Sequence, residues 1–213
     1  MSEKLSSAYV MSLTPVLPVV TIEDVGHAEP LARVLLASGI NTIEITLRTP
    51  AALGAIRTVA DAAPEMIVGA GTILTEDDLK AAIDAGARYA LSPGGTKKLM
   101  KAAENAAIPF IPGVATSSEI MRGLELGYTH FKFFPAEQLG GVAALKGIGA
   151  PLAAARFCPT GSITLEKAPA YLALSNVLCV GGSWIAPNDK IKAGDWAAIE
   201  EAAKKAVALK PVA

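Results

Sequence analysis

The sequence predicts an α/β protein whose parallel strands close into a barrel, and three observations carry this. Short β-rich runs alternate with longer amphipathic stretches along the chain; eight such units can be counted; and they recur at intervals of a little over twenty residues. Strands that alternate with helices pair in parallel, because each crossover helix returns the chain to the same end of the sheet. Eight units close a (β/α)8 TIM barrel, and 213 residues lie at the small end for that fold. The main structural rival, an open doubly wound sheet, ordinarily carries a glycine-rich phosphate motif after its first strand, and "VVTIEDVGH" does not supply one.

Taken in order, the residues before Val16 read as an extra N-terminal helix. The strand candidates are then "VLPVV" from 16, "TIEITL" from 42, "MIVGAG" from 66, "YALSP" from 89, "PFIPGV" from 109, "HFKFF" from 130, "RFCPT" from 156 and "VLCVGG" from 177. Between them, Leu31, Val34 and Leu35 have the spacing of one helix face. Thr75 with Asp78 opens a helix that runs through Leu79, Ala82 and Ile83 to a glycine stop at Gly86. Thr116 with Glu119 resembles a second capping box, and Gly127 closes that helix. No linker or low-complexity segment interrupts the pattern, so residues 1–213 are expected to form a single barrel domain.

Composition narrows the function classes. Apolar residues make up 52% of the chain, and 19 basic residues face 20 acidic ones without a long block of either sign. That balance gives no electrostatic reason to expect nucleic acid or membrane lipid as a partner. Pro, Gly or polar residues interrupt every apolar stretch before it could span a bilayer, and Pro15 and Pro18 break the N-terminal one, against a signal peptide. Cys158 and Cys179 each fall in a buried strand and are expected to be reduced core thiols. With only His27 and His130 besides, a His/Cys metal cluster is not expected.

Charges within strands are the anomaly. Both faces of a barrel strand are buried, one against helices and one in the interior. In "TIEITLR", Ile43, Ile45 and Leu47 form the branched aliphatic face that suits helices, which turns Glu44 and Arg48 into the barrel. In "HFKFF", Phe131 and Phe133 face outward and His130, Lys132 and Phe134 inward. Burying an unpaired charge costs roughly 5 kcal/mol or more, so these groups need partners or a chemical task. The purely structural readings are a Glu44–Lys132 or Glu44–Arg48 ion pair that fills the barrel, or a bulge that carries the charges to solvent.

The strand ends argue for chemistry. They read "GAGT", "SPGGT", "PGVAT", "CPTGS" and "GGSW", and barrel enzymes build their sites at these ends. Singly, such glycines are ordinary turn residues. Together, the glycine–hydroxyl pairs after the last two strands match the usual phosphate position of this fold, where backbone N–H groups cradle an anion. A lysine ringed by apolar groups has its charged form disfavoured, and a neutral amine attacks carbonyls to give a Schiff base. A neighbouring carboxylate shuttles protons, and arginine clamps a substrate carboxylate. The implied substrate has a keto acid at one end and a phosphate at the other.

At "IEITLRT", "IVGAGTIL", "LSPGG", "FKFFPAE", "RFCPTG" and "VLCVGGSW" the chain resembles the class I 2-keto-3-deoxy-6-phosphogluconate (KDPG) aldolases, also described as 4-hydroxy-2-oxoglutarate (KHG) aldolases. The resemblance runs from "TPVLPVV" to "GDWAAIEEAA". It implies a cytoplasmic, homotrimeric TIM-barrel lyase of sugar-acid breakdown (the Entner–Doudoroff pathway) that uses no metal and no cofactor. On matching positions, it implies that Lys132 forms the Schiff base and Glu44 transfers protons. Arg48 and Thr72 would hold the pyruvyl carboxylate, Pro93 and Phe134 would wall the pyruvyl group, and Thr160, Gly161, Ser162, Gly182 and Ser183 would lie on the phosphate side. The small-molecule partners would be a phosphorylated keto acid and pyruvate. One position departs: the family's "PTGG" reads "PTGS" here, so Ser162 replaces a glycine. If that position needs positive φ, serine there costs of order 1 kcal/mol, and phosphate affinity is the property at stake. The alternatives are the same chemistry on the galactonate epimer and a non-catalytic barrel that binds a phosphorylated metabolite.

Overall fold

The computed structural model describes residues 5–209. Its strands are β1 (Val16–Val20), β2 (Thr42–Thr46), β3 (Ile67–Gly71), β4 (Tyr89–Leu91), β5 (Phe110–Ile111), β6 (Gly113–Val114), β7 (His130–Phe133), β8 (Arg156–Pro159) and β9 (Val180–Gly182). The helices are α1 (Ser7–Ser12), α2 (Ala28–Ala37), α3 (Ala52–Ala62), α4 (Glu76–Asp84), α5 (Lys97–Glu104), α6 (Ser117–Glu125), α7 (Gly141–Gly149), α8 (Ala168–Leu172), α9 (Asn188–Ala193) and α10 (Trp196–Val207). Each predicted strand run holds an observed strand, and α1 is the expected N-terminal helix. Both capping boxes form: Thr75 and Asp78 cap α4 reciprocally, as Thr116 and Glu119 cap α6. Gly86 and Gly127 then leave these helices at φ 97° and 83°, a region closed to most side chains.

Every strand pairing is parallel. The strands form a curled sheet in the order β5-β4-β3-β2-β1-β9 and a second in the order β6-β7-β8. The ladder expected to run unbroken around eight strands is thus divided. One division falls at Pro112, between β5 and β6, because proline has no N–H with which to continue a ladder. The chain adapts locally: the Ser92 hydroxyl accepts the Gly113 N–H at 3.2 Å, and the Pro112 carbonyl accepts the Lys132 N–H at 3.0 Å. The other lies between β8 and β9, where single bridges at Phe157–Val177 and Thr160–Gly181 replace a ladder.

Alternate residues of the strands supply two apolar clusters. Val16, Val68, Ala90, Phe110 and Phe157 join the large core between strands and helices. Their neighbours Leu17, Ile67, Tyr89, Ile111 and Cys158 join a smaller cluster that Val10 and Met11 of α1 complete. The N-terminal helix therefore plugs one end of the space the strands enclose. Phe131 packs outward against α6, where a Cβ on Gly123 would lie 2.3 Å from its ring. This outward direction of Phe131 is what turns Lys132 inward.

Candidate active site

Glu44 and Lys132 meet in the strand-lined interior. Lys132 Nζ donates to Glu44 Oε1 at 2.8 Å, and the two side chains are 6% and 0% exposed. Their surroundings leave little room for an alternative. Glu44 lies in register with Val19 and Gly69, and Lys132 with Gly113 and Cys158. The glycines of β3 make the space: a Cβ on Gly71 would stand 2.0 Å from Glu44 Oε1, and one on Gly69 would stand 2.2 Å from the Tyr89 ring. Glu44 Oε2 is buried and has no hydrogen-bond partner. The ring of Phe134 lies 5.8 Å from Lys132 Nζ. One polar contact borders the smaller apolar cluster: the Tyr89 hydroxyl and Thr42 Oγ1 are 2.9 Å apart, and burial pushes the Tyr89 phenol well above its ordinary range. Cys158 and Cys179 are free and buried, and mutual hydrogen bonding followed by burial raises the Cys179 thiol, so it stays protonated.

The other expected residues gather at the carboxyl ends of the strands, with one correction. Arg48 does not enter the interior. β2 ends at Thr46, the Arg48 N–H turns back to the Thr46 carbonyl at 2.8 Å, and its side chain is exposed. The alternation of a strand stops with the strand, and a guanidinium freed from it stays hydrated and avoids the burial cost. The turn still runs beside the end of β3, since Leu47 N–H donates to Gly71 O at 2.9 Å. Thr72 follows at φ 63°, a strained value for a β-branched residue. Pro93 is half-buried against β6, where a Cβ on Gly113 would come within 2.4 Å of its carbonyl group.

On the opposite side, Thr160 is buried and joins Gly181 through an isolated bridge, so the loops holding Gly161 and Ser162 and holding Gly182 and Ser183 emerge side by side. A Cβ on Gly181 would sit 2.2 Å from Thr160 Oγ1, which explains glycine there. Ser162 adopts φ 57° directly after Gly161 at φ 114°. The serine that departs from the expected glycine is therefore held in the left-handed region, at a cost of about 1 kcal/mol or more. Ser162 and Ser183 are exposed.

Several residues of this end escaped the sequence argument. Thr46, one repeat beyond Glu44, is buried and bonds Val20 O at 2.9 Å and Thr21 Oγ1 at 3.0 Å. Strand alternation already marked it as inward. Glu137, the last residue of "FKFFPAE", accepts hydrogen bonds from Lys167 and Tyr171. Gln138 donates to Ser162 Oγ at 3.0 Å, a contact that nothing local in the sequence signals. His130, expected to face inward, lies at the opposite end of the strands, half-buried at the start of β7 with Nδ1 bonded to Thr129 at 2.9 Å. Among the described residues, no group of three or more His, Cys, Asp or Glu side chains could hold a metal ion, and no helix is long and apolar enough to cross a membrane.

With the Lys132–Glu44 pair and the strand-end loops in place, the chain can be compared with known proteins. The family model described as "Aldolase: KDPG and KHG aldolase" matches residues 8–202. The chain belongs to this family. Among its relatives, the 2-dehydro-3-deoxy-phosphogluconate aldolase of Pseudoalteromonas atlantica is 52% identical over 205 residues, covering 96% of this chain and 95% of that protein. The crystal structure of KDPG aldolase from Legionella pneumophila, with pyruvate captured as a covalent carbinolamine intermediate, superposes with a TM-score of 0.94 at 44% identity, over 96% of this chain and all of that one. The Zymomonas mobilis ZM4 enzyme, solved with 3-phosphoglycerate, gives 0.92 at 46% identity over 97% of each chain. Relatives of this family thus match the present chain over nearly its whole length.

Proposed function

We propose that the protein is a class I aldolase, a carbon–carbon lyase that cleaves KDPG to pyruvate and D-glyceraldehyde 3-phosphate, and also 4-hydroxy-2-oxoglutarate to pyruvate and glyoxylate. The observation that carries this is the Lys132–Glu44 pair: 2.8 Å apart, buried, with the second carboxylate oxygen unpartnered. Glu44 accepts the ammonium proton and leaves Lys132 as the nucleophile. The amine adds to the C2 carbonyl, the Glu44 carboxyl gives its proton to the departing hydroxyl, and loss of water leaves an iminium and a free carboxylate. Glu44, through a water, then takes the C4 hydroxyl proton. The C3–C4 bond breaks, its electrons pass into the iminium as an enamine, and the aldehyde departs. The same carboxyl returns its proton to C3, and hydrolysis frees pyruvate and the lysine.

In this reading, Arg48 and Thr72 hold the substrate carboxylate, and the exposure of Arg48 suits a group that closes on a ligand from the mouth. Pro93 and Phe134 wall the pyruvyl group. Thr160, Gly161, Ser162, Gly182 and Ser183 receive the phosphate on backbone N–H and hydroxyl groups. No step needs a metal or cofactor. Sodium borohydride reduction in the presence of pyruvate tests the mechanism: a pyruvyl-sized mass increase on the peptide containing Lys132 is expected. A folded protein that takes up no adduct would leave a phosphate-binding barrel in its place.

We further propose that residues 5–209 form one domain, the outermost residues of the expected range 1–213 lying outside the described ones, and that the two sheets make one eight-stranded barrel, with β5 and β6 as halves of a single strand. The bridges between β8 and β9 support this. The family resemblance supports a homotrimer; sedimentation equilibrium is expected to give three chain masses, and a monomer mass would refute it.

A further inference from the structure

Beyond the phosphate loop itself, we infer that Gln138 and Ser162 form a strap that sets the preference of the site for phosphorylated substrates. The inference rests on the aldolase reading and on the phosphate side assigned above. Its basis is a second set of contacts that the Lys132 chemistry does not use.

The segment after β7 is zipped to the loop after β8. Ala136 N–H donates to Thr160 O at 2.8 Å, Glu137 N–H to Gly161 O at 3.4 Å, and Gln138 Nε2 to Ser162 Oγ at 3.0 Å. Glu137 anchors the base of the zipper, since its carboxylate accepts from Lys167, at the start of α8, and from Tyr171 within that helix. The final contact is the one that matters for Ser162. A serine at φ 57° is in a minority conformation of its own backbone, which a glycine adopts freely. The Gln138 amide bonds the hydroxyl in that conformation. It thereby holds the peptide units on either side of Ser162 in the orientation that presents their N–H groups as an anion cradle. Glycine would need no strap; serine does. Gln138 is thus a positioning residue acting through Ser162, and the carboxylate end of the substrate, on the far side of Lys132, is indifferent to it.

The test compares kcat and KM for KDPG and for non-phosphorylated 4-hydroxy-2-oxoglutarate in the wild type, Gln138→Leu, Ser162→Gly and the double variant. Gln138→Leu is expected to lower kcat/KM for KDPG about three- to ten-fold through KM, with no such rise in KM for the non-phosphorylated substrate. In the Ser162→Gly background, the Gln138→Leu effect is expected to vanish. Equal losses on both substrates, or a Gln138→Leu effect that persists with glycine at 162, would overturn the strap and leave the phosphate assignment standing. A wild type that shows no preference for the phosphorylated substrate would overturn both.

Discussion

Lys132 and Glu44 stand 88 residues apart in the chain and share one hydrogen bond. At this scale the governing quantity is the cost of a lone buried charge. Removing either partner leaves the other uncompensated and is expected to cost about 3–5 kcal/mol of stability, whereas removing both leaves a neutral interior. Urea denaturation of Lys132→Met, Glu44→Leu and the double variant is expected to show a double loss well below the sum of the single ones, with turnover absent from all three. Additivity within about 0.5 kcal/mol would mean that the two groups do not interact. Substantial turnover by Lys132→Met would end the Schiff-base mechanism. Thr72 and Ser162, the two non-glycine residues at positive φ among the described residues, both lie at strand ends in the proposed site. Strain held by the surrounding structure concentrates where function needs a fixed loop.

Between elements, the site depends on how the segments after β7 and β8 are joined. The Lys167 ammonium, and after it the Tyr171 hydroxyl, hold the Glu137 carboxyl below its ordinary value of 4.5. A carboxylate whose folded pKa is depressed contributes stability that is fully present above pH 4.5 and is lost as pH falls through the lowered value. The melting temperatures of the wild type and Glu137→Gln are therefore expected to differ by a constant amount near neutrality and to converge as the solution is acidified below that point. A gap that survives acidification would mean that the clasp does not depend on the carboxylate charge. The close approach of β3 to the site works in the same way without charge. Gly69 and Gly71 allow Tyr89 and Glu44 to fill the interior, and a methyl group at either position would collide with them.

For the whole molecule, the property to test is closure. Helix α1 covers one end of the interior with Val10 and Met11, which pack with Leu17, Ile67, Tyr89 and Ile111. If the strands close into one barrel, the seam between β8 and β9 shares the stability of the rest. The Phe157 N–H, bonded to Asn176 O at 2.8 Å, and the Leu178 N–H, bonded to Phe157 O at 3.1 Å, are then expected to exchange with solvent as slowly as the amides of β2 and β3. Fast exchange confined to these two amides would describe an open, curled sheet instead.

The periodic features were legible in the residues. Runs of β-branched and aromatic residues located the strands, capping pairs located α4 and α6, and alternation placed Glu44 and Lys132 on the interior face, because which face a residue takes is a local property of the backbone. Residue chemistry suggested a Schiff-base lysine beside a proton-shuttling carboxylate, and the resemblance supplied the specific substrate and the remaining roles. Tertiary structure decided the rest. The packing of two separate sheets around one interior brought Lys132 to Glu44, and the early end of β2 left Arg48 outside. Pro112 split a strand that its residues predicted whole, and the packing of two loops set Gln138 against Ser162. Pattern reports direction at each residue, whereas partnership depends on where strands stop and how distant segments align, and those are settled only when the whole chain packs.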